Sequence, residues 1–339
     1  MHRGRRLCDK LALPSIQPVC RSGGVTMSNS RPTHSSSSRD CPVVEGVRQI
    51  QRITARNAEV GGIPINRALP TRERRTVGAW CFLDHAGPSV FSGSSKGMDV
   101  GPHPHIGLQT FTWMIEGEVL HRDSLGSEQV IRPGQVNLMT AGRGIAHTEQ
   151  STGEERRLHA AQLWIALPAD DADMAPRFDH YPDLPSWEKN GVRHTLLVGE
   201  FEQYRSPVFT FSPLIAIDLA WQSDGYLPLP LREDYEIGFL PLVGAIEVND
   251  EKFSPDEFAY LGMNLNQIGL NAKKGSRALL IGGVPLNEEI LIWWNFVGHS
   301  KQDITQAQHD WEQGNSRFPD VSGYSGPRMT APRLPWNGV

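Results

Sequence analysis

GPHPHIGLQTFTWMIEG, running from Gly101 to Gly117, sets two histidines two residues apart and then alternates apolar and polar side chains as far as a glycine. In an extended strand, residues i and i+2 point to the same face, so His103 and His105 aim at one place. A second stretch, AGRGIAHTEQS from Ala141 to Ser151, does the same with His147 and Glu149. Side by side, two such strands would converge three imidazoles and one carboxylate. That donor set suits a borderline divalent transition metal, with Fe(II) the first candidate and manganese, nickel, cobalt, copper and zinc the alternatives.

Outward from this pair the pattern stays β-like. RTVGAWCFLDHAGP (Arg75–Pro88) reads as a buried strand ended by Gly87-Pro88, and LHRDSLGSEQVI (Leu120–Ile131) as a hairpin turning at Ser124–Ser127. Pro133-Gly134 makes the next turn, QVNLMT the next strand, AGRG the turn before His147, and LHAAQLWIALP (Leu158–Pro168) a further apolar strand. Short strands at regular spacing, punctuated by glycine and proline, predict an all-β sandwich or jelly roll. The first such unit is expected over 44–168, a proline-rich connector over 169–206 and a second β unit over 207–288. In that second unit YEIGFLPLVGAIEVND, followed by Ser254-Pro255-Asp256, echoes TFTWMIEGEV followed by Arg132-Pro133-Gly134, as an internal duplication would. Between Trp221 and Gly298 there is no histidine, so the second copy lacks the ligands of the first. Residues 289–339, beginning EEILIWWNFVG and KQDITQAQHDWEQG, are expected to form a helical tail. Residues 1–43, basic and rich in Ser, Arg and Pro, are expected to be a disordered extension, with Met27 an alternative start.

Composition excludes several classes. The 339-residue chain carries a net charge of −5, and RGRR at the head and RERR at Arg72–Arg75 are its basic clusters, so no direct binding to nucleic acid is expected. No apolar run approaches the roughly 20 residues that span a bilayer. Cys8, Cys20, Cys41 and Cys81 show no metal-binding spacing. With Cys81 read as a buried core thiol, a reducing, cytoplasmic location fits best.

Other polar residues receive structural readings. His121 is taken as an exposed turn residue, His159 as core or support for the metal segment, His85 as structural, and Arg143 as part of a glycine-flanked turn. Phe111, Trp113 and Met114 are expected to fill the barrel. Trp293, Trp294 and Trp311 are expected to form the seam that holds the tail.

PHPHIGLQTFTWMIEG, HRDSLG, PGQVNLMTAGRGIAHTE, AQLWIALP and WWNFVG together resemble the pirin family of the cupin superfamily, from about Val44 to Gly298. The resemblance implies two tandem cupin β-barrels with a C-terminal helical segment, one metal in the first barrel and none in the second. By motif, the ligands would be His103, His105, His147 and Glu149. Gln109 stands near the place where many cupins carry a glutamate. The resemblance also implies quercetin 2,3-dioxygenase activity, in which a flavonol and dioxygen react with ring opening and loss of carbon monoxide. Glu149 would then be the catalytic base as well as a ligand. The alternative it carries is an iron-dependent regulatory protein that binds transcription factors or metabolic enzymes without turnover.

Overall fold

The computed structural model describes residues 41–45, 47–92, 97–153 and 156–336. The extension read over 1–43 falls almost wholly outside them. Within the described residues the chain builds two β-barrels, each from a seven-stranded and a four-stranded antiparallel sheet. In the first barrel the larger sheet runs, in spatial order, Arg177–Tyr181, Val136–Thr140, Leu108–Glu116, Arg157–Ala166, Trp80–Val90, Ile63–Leu69, Arg56–Val60. Its smaller sheet runs Glu128–Ile131, Val119–Asp123, Ile145–Ser151, Asp99–His105.

The second barrel repeats the plan. Its larger sheet runs Ser186–Lys189, Val192–Val198, Leu214–Trp221, Arg277–Gly283, Glu236–Val243, Glu257–Gly262, Gln51–Thr54. Its smaller sheet runs Glu251–Phe253, Ile246–Val248, Gln267–Ala272, Gly225–Pro230, the same order as in the first. The larger sheets share an apolar layer in which Trp80, Phe111 and Trp113 meet Leu214, Leu240, Phe258 and Ile281. Polar ties cross the same layer: Trp113 Nε1–H donates to Asp218 Oδ2 at 3.1 Å, and the Gly78 amide to Glu236 Oε2 at 2.7 Å.

Three boundaries differ from the sequence reading. The strand Gln51–Thr54, placed by that reading in the first unit, pairs with Glu257–Gly262 and completes the second barrel's sheet. The 169–206 connector is not a plain linker: Arg177–Tyr181 pairs with Val136–Thr140 of the first barrel, while Val192–Val198 pairs with Leu214–Trp221 of the second. Pairing partners this distant in sequence leave no local signature. In the tail, the helix is confined to Lys301–Gln313, opened by a Ser300–Asp303 capping box and closed by Gly314 in the left-handed region. EEILIWWNFVG is not helical; Leu291–Trp293 and Phe296–Gly298 form a hairpin whose turn holds Trp294 at φ +53°. Aromatic and β-branched residues favour that pairing over a helix.

The tail sits against the strands that carry the histidines. Asp99–His105 is an edge strand, which is where a sheet tolerates residues without an N–H such as Pro102 and Pro104. Its open side is covered: the Met329 amide donates to Pro102 O at 2.8 Å and the Val297 amide to Ile106 O at 3.1 Å. Gly107, at φ +65°, lets the chain turn there; a Cβ would stand 2.2 Å from Val297 O.

Candidate metal centre

The smaller sheet of the first barrel brings the predicted histidines together. His103 and His147 are directly opposite in the register of Asp99–His105 with Ile145–Ser151, and His105 lies opposite Ile145. All three are buried, and their ligand atoms lie within 4.8 Å of one another. His105 Nε2 and His147 Nε2 are 3.1 Å apart.

Backbone carbonyls fix two of the rings. His103 Nδ1–H donates to Gly101 O at 2.8 Å, and His105 Nδ1–H to Asn295 O at 3.0 Å, from the C-terminal hairpin. A carbonyl only accepts, so each Nδ1 carries the proton and each Nε2 lone pair is free. Burial keeps the rings neutral: it pushes His103 down to about 4 and His105 and His147 well below their ordinary value. Neutral imidazoles are what a metal requires.

The donor set fits a first-row divalent ion. Two nitrogens about 2.1 Å from one ion at about 90° stand about 3.0 Å apart, close to the observed Nε2 separation. Three protein donors on one side of a metal leave positions open for substrate.

Glu149 follows His147 on the same strand, after a bulge that shifts the register against Asp99–His105. Its carboxyl is desolvated and pushed up to about 7, although the residue keeps some exposed surface. It is not one of the three donors that lie within mutual reach. Gln109 is buried, and its amide donates to Thr140 Oγ1 at 3.0 Å and Phe209 O at 3.3 Å.

His121 departs from the sequence reading. It is 3 % exposed, stacks on Phe178 with ring centroids 4.3 Å apart, and its Nδ1 lies 3.4 Å from His147 Nδ1. Its Nε2–H donates to Asp123 Oδ2 at 3.1 Å. Asp123 stays in the low carboxylate range because hydrogen bonds from His121 and Ser127 outweigh its burial. The alternation of Val119, His121 and Asp123 facing inward was the available signal. His159 and His85 lie elsewhere, paired Nε2 to Nε2 at 2.9 Å, with His85 Nδ1–H donating to Asp256 Oδ1 of the second barrel at 2.7 Å. That pair ties the barrels together.

The second barrel supplies an internal control. With Pro104 matched to Pro228, HPH falls on Leu227-Pro228-Leu229, and the registers agree: Leu227 lies opposite Leu270 as His103 lies opposite His147. Leu270 in turn lies opposite Val248, and Ala272 opposite Ile246, as His147 and Glu149 lie opposite Asp123 and His121. Leu227, Leu229, Leu270, Ala272, Ile246 and Val248 all belong to one apolar cluster.

Two barrels of this topology, one with a histidine cluster and one filled with leucine, define a two-domain cupin. The pirin family model matches residues 62–165 and the pirin C-terminal cupin domain model residues 216–319. The chain belongs to the pirin family. It is 56% identical over 302 residues to a Pseudomonas aeruginosa protein named as a candidate quercetin 2,3-dioxygenase, covering 89% of this chain and 95% of that one. A crystal structure of quercetin 2,3-dioxygenase from Acinetobacter baumannii superposes with TM-score 0.83 at 51% identity, covering 86% of this chain and 97% of the other. A bacterial pirin from Escherichia coli, solved in complex with nickel(II), shares the fold at 20% identity and TM-score 0.58, covering 70% of this chain and all (100%) of that one.

Proposed function

We propose that this chain is a metal-dependent dioxygenase that opens the heterocycle of a flavonol, quercetin being the model, with dioxygen and release of carbon monoxide. The observation that carries the proposal is the convergence of three buried, neutral histidines, two of them locked with Nε2 toward the site. The likeness to proteins named for this reaction supports the substrate class.

His103, His105 and His147 would hold the metal, with Glu149 as a fourth ligand when the site is filled. A bound divalent ion, iron first, supplies a Lewis acid and an open face on which an anionic substrate and dioxygen can meet. The protein's own part is proton handling and exclusion of water. Glu149, whose carboxyl burial pushes up to about 7 in the metal-free site, is the candidate base for the flavonol 3-hydroxyl proton. Trp164, edge-on to His105 at 5.2 Å between ring centroids, and Phe178 give the site apolar walls. We also place the protein in a reducing, cytoplasmic setting, which the free, buried thiols of Cys41 and Cys81 support. Among the described residues no helix is long and apolar enough to cross a membrane.

The test is to quantify bound metal, then follow quercetin loss together with oxygen uptake and carbon monoxide release. Turnover that requires metal and yields carbon monoxide is the expected result. Absence of turnover with iron, manganese, nickel, cobalt and copper each in the site would sink the dioxygenase proposal.

A further inference from the structure

His121 and Asp123 form a chain of donors and acceptors that ends at the metal position. Asp123 is divided in its duties: Oδ1 accepts from the amides of Leu125 at 2.9 Å and Ser127 at 3.0 Å, holding the hairpin turn, while Oδ2 accepts from His121 Nε2–H at 3.1 Å. With its proton on Nε2, a neutral His121 offers an unprotonated Nδ1. That atom faces His147 Nδ1 at 3.4 Å, a long hydrogen bond that is satisfied only when His147 carries its proton on Nδ1. The Nε2 lone pair of His147 is then free, on the side where His105 Nε2 lies 3.1 Å away.

We infer that His121 and Asp123 are positioning residues of the metal centre, a carboxylate–histidine relay that fixes the tautomer and ring orientation of His147. His103 and His105 have backbone carbonyls for this task, whereas the partner of His147 Nδ1 is a side chain, His121. The inference rests on the three-histidine metal reading and adds an outer shell to it. Such outer partners ordinarily alter metal affinity about 10- to 100-fold.

A plainer account makes His121 a packing residue on Phe178 and Asp123 a turn cap. The second barrel argues against it. Its matching strand keeps the hairpin, yet Ile246 and Val248 stand where His121 and Asp123 do, and Leu270 stands for His147. The polar pair is absent from the copy that lacks the ligand, so the barrel plan alone does not need it.

The experiment compares zinc affinity, by chelator competition, in the full chain and in H121F, H121Q and D123N, with thermal melts of the metal-free forms. H121F keeps the stack on Phe178 but removes both ring nitrogens. H121Q restores an acceptor for His147 and a donor for Asp123. D123N keeps an oxygen for the turn, but its amide must donate to His121, which moves that ring's proton to Nδ1 and sets two donors face to face. Expected are zinc affinities about 10- to 100-fold weaker in H121F and D123N and recovery of most of the loss in H121Q, with metal-free melts of D123N and H121Q close to the parent and that of H121F lower, because Asp123 Oδ2 loses its buried partner. In zinc-loaded, histidine-labelled parent protein, the His147 Nδ1–H should appear as a slowly exchanging proton that is lost in H121F. Parent-like affinity in D123N, or a loss in H121Q as large as in H121F, overturns the relay. If H121F does not fold, D123N and H121Q still decide. A parent chain that takes up no zinc overturns the metal reading itself, a separate outcome.

Discussion

The two barrels have the same smaller sheet in the same strand order, and they differ in six facing positions. His103, His105, His147, Glu149, His121 and Asp123 occupy them in the first; Leu227, Leu229, Leu270, Ala272, Ile246 and Val248 occupy them in the second. The second interior is one continuous apolar cluster. The apolar residues of the first fall into two clusters, one around Phe82, Met139 and Trp164 and the other around Ile65, Met114 and Leu158. Buried imidazoles with a free ring nitrogen cost stability that leucines would supply. A fold that already has a leucine solution, yet carries histidines in its first copy, supports the proposal that those positions serve function.

Exchanging the two interiors has the largest expected effect. H147L, which gives the first barrel the residue of the second, should abolish bound metal and turnover, leaving the metal-free melt at or above the parent. Metal analysis and a thermal melt on one preparation check both halves. Next in size, E149Q should lower turnover by about 10²-fold or more while weakening metal binding. Unchanged activity would remove Glu149 from both roles. In the opposite direction, L270A should cost about 2–5 kcal/mol of stability by opening a cavity in the second core. Its metal content should stay that of the parent, as measured by denaturant melts and metal analysis.

The smallest effect concerns the seam between the barrels. Burial, aided by nearby His85 and Arg277, pushes His159 down to about 3, whereas in the unfolded chain it titrates near the ordinary 6.5. Between those values the unfolded state binds the proton and the folded state does not, so stability is present above about 6.5 and is lost as pH falls toward 3. H159Q should flatten that part of the acid melting curve of the metal-free protein. A curve that keeps its slope would show that His159 is not the group responsible.

The histidine cluster was legible because residues two apart on a strand share a face, which His103 and His105 obey; the bulge after His147 is what that periodicity does not show, and Glu149 falls outside the mutual reach of the three histidines. His121 was hidden by its company, since Arg122, Ser124 and Gly126 give the hairpin an exposed character that the inward face of Val119–Asp123 contradicts. Gln51–Thr54 and Arg177–Tyr181 join sheets that their local sequence does not reveal, for a different reason. Their partners, Glu257–Gly262 and Val136–Thr140, are remote in sequence, and a strand read alone does not announce which edge it will join. The Trp293–Phe296 turn reads as helix in the sequence because an apolar run bounded by acidic residues fits either state until length and β-propensity are weighed.

The proposed function requires one metal, in the first barrel only, on His103, His105 and His147. Anomalous diffraction at the metal's absorption edge, on crystals of the loaded protein, locates it. The reading predicts a single peak about 2.0–2.2 Å from the three Nε2 atoms and none among Leu227, Leu229 and Leu270. A peak in the second barrel, or none between the three histidines, would contradict it.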